Sequence, residues 1–215
     1  MSHTPHAYLP AAGRDFLLPL YDPLVRVLGA DRARKKLFDQ AGVRPQHRVL
    51  DIGCGTGTFA VAIKGWLPNA DVVGLDPDPK ALARSQRKAH RAGVSIRFDQ
   101  AFANALPYPD ASFDRVFSSL MFHHLSHDAK LPTFREVRRV LKRGGSLHLL
   151  DFEQEGAHSH NPLARWLHSS ARLHDNQSER ILSWMREAGL VDVEVVDSDH
   201  PIFGKIVYIA ARAPM

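Results

Sequence analysis

The segment Val49-Leu50-Asp51-Ile52-Gly53-Cys54-Gly55-Thr56-Gly57-Thr58 limits what this chain can become more than any other. A run of strand character at 48–52 passes directly into glycines at alternate positions. Residues 58–66 then read as a helix that ends before Pro68. Glycines in such a turn let the backbone bend sharply and approach a ligand, and the helix N-terminus behind them offers unpaired N–H groups. A second apolar run at 71–75 stops on Asp76. A carboxylate at the end of that strand is placed to accept both hydroxyls of a ribose. Loop and carboxylate together define a nucleoside site at the C-terminal edge of a sheet.

The dinucleotide pattern G-x-G-x-x-G fails from Gly53, where Thr58 occupies the last glycine position, and from Gly55, where Ala60 does. The phosphate-loop pattern fails as well, because no Gly-Lys-Ser/Thr follows. Elsewhere apolar runs alternate with amphipathic stretches, the signal of a parallel sheet with crossover helices. Strands are expected at 94–98, 113–118 and 147–152, and by alternation at 191–196 and 206–211. Helices are expected at 79–92, 129–141 and 178–188, with Gly93 and Gly189 just past two of their ends and Gly144-Gly145 turning the chain into the fifth strand. Prolines 107 and 109 stiffen the loop at 106–110.

Composition narrows the class. The 215 residues are 44% hydrophobic and 24% charged, which excludes disordered, collagenous and coiled-coil chains. A chain of this length buries roughly 70% of its unfolded surface and needs no covalent or metal staple. Cys54 is the lone cysteine, which excludes an internal disulfide and any multi-cysteine metal site. A reducing, cytoplasmic setting is the expectation. The apolar run at 16–21 is short and broken by Pro19, so neither a leader nor a membrane span is expected.

Val-Leu-Asp-Ile-Gly-Cys-Gly-Thr-Gly at 49–57 resembles the first motif of the class I S-adenosylmethionine-dependent methyltransferases. Leu106 to Asp110, followed by Ser112-Phe113-Asp114, resembles the loop and fourth strand of that family's small-molecule branch. Leu120-Met121-Phe122-His123-His124-Leu125 and Arg139-Val140-Leu141-Lys142-Arg143-Gly144-Gly145 continue its order and spacing. The similarity covers about residues 40–152 and, more weakly, the rest. It implies an α/β, Rossmann-like fold: seven mostly parallel strands, the final one antiparallel, with helices on both faces. Residues 1–45 would form an N-terminal helical cap and 46–215 the methyltransferase domain, with a lid or insertion at 153–177.

The resemblance also implies S-adenosyl-L-methionine as cofactor. Asp51, Gly53 and Gly55 would line its methionine part, in the loop that Gly57 completes, and Asp76 would hold the ribose. The backbones of Ile52, Gly53, Cys54, Ser118 and Ser119 would touch the ligand, and Pro77 would pack near the adenine. One departure stands out. The family usually has Asp where this chain has Phe102, followed by Ala103. That Asp accepts from the adenine amino group, and phenylalanine cannot. Phe102 can pack on the ring instead, with Asn104 or Asp99 as the acceptor if the third strand is shifted.

Methyl transfer from a sulfonium needs mainly alignment, which can supply roughly 7–11 kcal/mol of the barrier. A general base helps a hydroxyl or an acidic carbon more than an amine or thiol. His123 and His124 are candidates, just past the fourth strand, against the alternative that they open a helix and merely pack or cap. Zinc is not expected, since His124 stands where a metalloprotease helix needs Glu. Asp151 and Glu153 end the fifth strand and are candidates to hold an amine substrate. Tyr21 is a candidate lid contact, because related methyltransferases cap the cofactor with such segments. Histidines 158, 160, 168 and 174, with Trp166, either shape a substrate pocket or lie on the surface.

The net charge of +5 gathers at 32–36, 84–91 and 135–143, all on expected helices with few interleaved aromatics. Solvated helix faces explain this better than nucleic acid does. An anionic lipid headgroup is a further possible partner. The expected partner is a small-molecule or lipid-like methyl acceptor. A non-catalytic cofactor-binding or RNA-binding module, and an NAD-dependent oxidoreductase, are the alternatives.

Overall fold

The computed structural model describes residues 29–153, 176–201 and 204–215. In chain order the elements are α1 (Ala30–Gln40), β1 (Arg48–Ile52), α2 (Thr58–Trp66), β2 (Asp71–Asp76), α3 (Pro79–Arg91), β3 (Arg97–Gln100), β4 (Phe113–Ser119), a 3₁₀ turn (Phe122–His124), α4 (His127–Val140), β5 (Leu141–Phe152), α5 (Ser178–Glu187), β6 (Val191–Asp199) and β7 (Ile206–Arg212). The strands form one sheet in the order β3-β2-β1-β4-β5-β7-β6. β3, β2, β1, β4 and β5 run parallel, and β7 is antiparallel to both β5 and β6. Chain order reverses between β1 and β4, and in open α/β sheets the crevice at that point, beyond the carboxyl ends of the strands, takes the ligand.

Two apolar layers sandwich the sheet. Leu50 and Ile52 of β1, Val116 of β4 and Leu147 and Leu149 of β5 join Phe134, Val137 and Val140 of α4 and Ile181 and Met185 of α5. The alternate residues Val49, Phe117, Leu150 and Tyr208 pack on the other face against α1 and α2. α1 presents Ala30, Ala33 and Leu37 at helical spacing, all buried in that second layer. Residues 30–40 are therefore part of the domain's packing. Residues 1–28, with Tyr21, and residues 154–175, with His158, His160, Trp166, His168 and His174, lie outside the described residues.

Three expected elements differ in the structure. β3 begins at Arg97, not at 94, because Val94 donates its N–H to Ala89 O and Gly93, at φ 66°, donates to His90 O. Val94 thus closes the end of α3 in a C-terminal cap. β5 begins at Leu141, and Gly144-Gly145 sits inside it: Phe113 pairs with Leu141 but Arg115 with Ser146, so the glycines form a bulge and not a turn. β6 runs on to Asp199 and lacks simple alternation, because it is an edge strand whose register against β7 shifts twice.

Candidate active site

The glycine loop closes on its own sheet. Gly53 N and Cys54 N both donate to Leu75 O (2.7 and 3.0 Å), so these two amides are used to hold the loop against β2. Gly55 N donates to Asp76 Oδ2 (2.8 Å) and Gly57 N to Cys54 O (2.8 Å). The loop therefore faces a ligand with backbone surface and side-chain acceptors more than with free N–H groups. Gly53 has φ 69°, and a side chain there would run into Met121. Nothing lies within 4 Å of where a Cβ on Gly55 would stand, so the loop opens to free space at that point. Cys54 is buried, and burial pushes its thiol well above the usual value, which suits a small packing residue and not a nucleophile.

Asp51 is 1% exposed. It accepts the N–H of Ala60 in the first turn of α2, yet its Oδ2 has no hydrogen-bond partner among the described residues. Burial raises its pKa to about 7, with the positive charge of Arg34 opposing and Asp76 adding to the shift. Arg34, on α1, donates through Nε to Ser119 Oγ (3.2 Å). Ser118 pairs with Ile52 across the β1–β4 ladder, and its buried hydroxyl has no partner among the described residues. Asp76 accepts Gly55 N and Asp78 N, one on each oxygen, and burial raises its pKa too. Asp78 in turn caps α3 by accepting from Lys80 N (2.8 Å). One lone pair on each oxygen of Asp76 is thus left for a ribose hydroxyl.

Past β3, Phe102 is 41% exposed and Ala103 is buried. Pro77 O accepts from Gln100 Nε2 (3.2 Å), which ties the turn after β2 to the end of β3. The neighbouring loop at 106–110 is clamped by Arg139, which donates to Leu106 O, Tyr108 O and Asp110 Oδ1 (3.0, 2.7 and 2.8 Å) while paired with Glu136. Its i−3 glutamate was the available sign that Arg139 is more than one charge on a solvated face.

Beyond β4 the chain is strained. Leu120 occupies the left-handed region at φ 56°, rare for a branched side chain, and still donates to Leu150 O (2.8 Å). The 3₁₀ turn follows at once and brings His123 over the end of β5. His123 Nδ1 lies 2.5 Å from Asp151 Oδ1, and His123 N donates to Asp151 Oδ2 (3.0 Å). Phe152 N also donates to Asp151 Oδ1 (2.7 Å), and Asp151 is fully buried. With a carboxylate on Nδ1, that nitrogen carries the proton and Nε2 is the basic atom of the ring. His124 packs beside it, with ring centroids 4.0 Å apart and the rings tilted by 42°. His127 belongs to α4 and packs on Trp184, so it does not share a helix with His123. The acids expected to hold an amine have other tasks: Asp151 holds His123, and Glu153 pairs with Lys205 (2.6 Å) and accepts from Ser178. Among the described residues, no cluster of three or more His, Cys, Asp or Glu could hold a metal ion.

Known proteins resemble this chain in sequence and fold. The methyltransferase domain family model matches residues 49–145. A demethylmenaquinone methyltransferase of Thermus thermophilus is 41% identical over 139 residues, 63% of this chain and 62% of that protein. The ubiquinone/menaquinone biosynthesis C-methyltransferase UbiE of Hahella chejuensis is 34% identical over 189 residues, 76% of this chain and 75% of that protein. This chain belongs to the class I S-adenosylmethionine-dependent methyltransferases. The methyltransferase spans less than two thirds of some relatives, for example 57% of a demethylmenaquinone methyltransferase of Deinococcus radiodurans. Among solved structures, the [4+2]-cyclase SpnF has a TM-score of 0.70 at 21% identity, covering 86% of this chain and 81% of that one. A SAM-dependent methyltransferase from Aquifex aeolicus has a TM-score of 0.66 at 19% identity, covering 83% and 88%. Those likenesses carry the fold, and a cyclase among them shows that the sheet alone does not decide the reaction.

The residues present fit the family's cofactor. The buried carboxylate of Asp51, whose Oδ2 has no partner among the described residues, suits a cationic amino-acid end, and Asp76 suits a ribose. No helix among the described residues is long and apolar enough to cross a membrane.

Proposed function

We propose that this methyltransferase methylates a ring carbon of a small or lipid-like quinol-type acceptor, with His123 as general base and Asp151 as the group that positions it. S-adenosylmethionine, when bound, supplies a methyl group already activated for displacement. Asp51 and Asp76 hold the two ends of the cofactor, and Arg34 and Ser119 flank the Asp51 end. Nε2 of His123 takes the hydroxyl proton of the acceptor, which makes the ring carbon next to that oxygen nucleophilic. The carbon–carbon bond would form as the methyl–sulfur bond breaks and S-adenosylhomocysteine leaves, and the proton on the methylated ring carbon would then pass to water as the ring regains aromaticity. A positioned base of this kind is worth about 10²–10⁴-fold.

The buried His123–Asp151 pair carries this reading. An amine or thiol acceptor needs no such base. The relatives named for quinone methylation support the acceptor class. A 27-O-demethylrifamycin SV methyltransferase of Amycolatopsis mediterranei, 37% identical over 123 residues, marks the alternative outcome, methylation of the hydroxyl oxygen itself. The test is incubation with S-adenosylmethionine and a reduced short-chain demethylnaphthoquinol, with the product located by NMR. A new carbon-bound methyl is expected, and it should vanish in His123→Gln while S-adenosylhomocysteine still binds. Turnover of amines or thiols but not of the quinol would overturn the proposal.

A further inference from the structure

We infer that this chain holds the adenine of its cofactor by stacking on Phe102 and does not read the 6-amino group with an acidic side chain, so that it discriminates weakly between bases differing at that position. This rests on the cofactor assignment above.

The sheet fixes where the base must lie. The amino-acid end belongs at Asp51 on β1 and the ribose at Asp76 on β2. Adjacent strands are about 4.8 Å apart, so the base, one step beyond the ribose, reaches the end of β3. Asp76 pairs with Gln100 in the β2–β3 ladder, and Phe102 lies just past that pair at the same edge. Most large apolar side chains of the domain are buried, yet Phe102 is 41% exposed. An exposed ring beside a nucleoside site is suited to stacking, which tolerates any base because every base has a π face.

The acids nearby are already charge-paired within the protein. Asp99, the closest in sequence, accepts from Arg97 Nε (2.9 Å) through Oδ1 and from Tyr108 OH (3.0 Å) through Oδ2. Asp110 is paired with Arg139 at 2.8 Å. Gln100 donates through Nε2 to Pro77 O, which ties the side chain to the turn after β2 and leaves its Oε1 as a neutral acceptor. Asn104 lies in the turn that Ala105 N closes on Phe102 O (3.1 Å), and its amide is a second neutral side chain to control for. A site built around an acceptor for the amino group would reject a base lacking it, because the buried acceptor would be left unpaired. This edge has an aromatic face instead.

Calorimetry with S-adenosylhomocysteine and its 6-deamino (purine) counterpart tests this without turnover. The wild-type protein should bind the two within about threefold of each other, where a charge-assisted hydrogen bond would separate them by about tenfold or more. Phe102→Ala should weaken both by about tenfold, as loss of a stacking partner does. Phe102→Asp should create a preference for the amino-bearing ligand, and Asn104→Ala should leave the wild-type ratio unchanged. A wild-type preference of tenfold or more for S-adenosylhomocysteine would overturn the inference, as would full affinity in Phe102→Ala. Failure of S-adenosylhomocysteine itself to bind would instead overturn the cofactor assignment at this edge.

Discussion

Asp51 and Asp151 are each the next-to-last residue of a parallel strand, β1 and β5, with β4 between them. Both are buried, at 1% and 0% exposure. Their partners could hardly differ more. Asp151 accepts His123 Nδ1, His123 N and Phe152 N, so both its oxygens are engaged from within the protein. Asp51 has one N–H from Ala60 and, among the described residues, no partner on Oδ2. A buried carboxylate left short of donors costs the ligand-free fold stability and gains from any cation that arrives. One whose oxygens both carry donors from the protein acts by orienting its partner. Burial alone does not separate these roles, whereas the inventory of partners does.

The largest expected effect separates the two carboxylates by stability. The pKa of Asp51 rises from 3.8 to about 7 on folding. The folded state then holds this proton more tightly than the unfolded one. The fold carries no penalty from Asp51 below its unfolded pKa, and it loses stability as pH rises through the folded value. The loss reaches about 4 kcal/mol at alkaline pH. Asp51→Asn should therefore raise the denaturation midpoint of the ligand-free protein at pH 8, leave it nearly unchanged at pH 4, and weaken S-adenosylhomocysteine severely. No stabilisation at pH 8 would mean that Asp51 already has its partner.

Asp151→Asn should do the reverse. The imidazole would lose the acceptor that fixes its tautomer, and turnover should fall by about 10²–10³-fold, near 3–4 kcal/mol of barrier. S-adenosylhomocysteine affinity should not change. A variant with full turnover would reduce Asp151 to a packing residue.

The third effect lies on β5 itself and has the opposite pH sign to that of Asp51. His148 is buried against Phe117, with Nε2 on Ser146 Oγ (2.9 Å), and burial lowers its pKa from 6.5 to about 4. Below pH 6.5 the unfolded chain takes up a proton that the folded chain refuses until about pH 4. Stability from His148 is therefore complete above its unfolded pKa and falls by about 3 kcal/mol as pH drops through that window. In the wild type this slope runs against that of Asp51. In Asp51→Asn it should stand alone, with stability rising steadily from pH 4 to 6.5, and His148→Gln in that background should flatten it. A slope that survives the double substitution belongs to other groups.

How much could be read in advance follows from where the information sits. The strand at 48–52 and the helix at 58–66 have the bounds their residues imply, because glycines and Pro68 punctuate both within a few positions. Asp76 could be singled out because it ends an apolar run beside the loop, and Asp51 because it stands in the motif that resembles the family's first one. β3 slid because Val94, apolar and strand-like by type, is used to finish α3. The His123–Asp151 pair spans 28 positions and exists only because β4 lies beside β5 and Leu120 turns the chain back, facts of register that no local pattern contains. Arg34 is similar: inside a basic run it reads as a surface charge, and only the packing of α1 brings it to Ser119.

Arg34 also supplies the smallest and most discriminating test. Its charge is the main force holding the pKa of Asp51 down against burial. In Arg34→Gln that pKa should climb, so at pH 7 more of the carboxyl group is protonated and unable to pair with the cationic end of the ligand. S-adenosylhomocysteine affinity should drop by about three- to fivefold at pH 7, or about 0.6–1 kcal/mol, the size of one partly screened charge pair. The loss should then shrink as pH rises toward 9 and Asp51 ionises again. If Arg34 instead contacts the carboxylate of the ligand directly, the loss should be the same at both pH values, since that carboxylate is ionised throughout. A pH-dependent deficit keeps Asp51 as the ligand's partner and Arg34 as the residue that keeps it charged. A constant deficit would make the unpaired carboxylate of β1 one half of a site whose other half comes from α1.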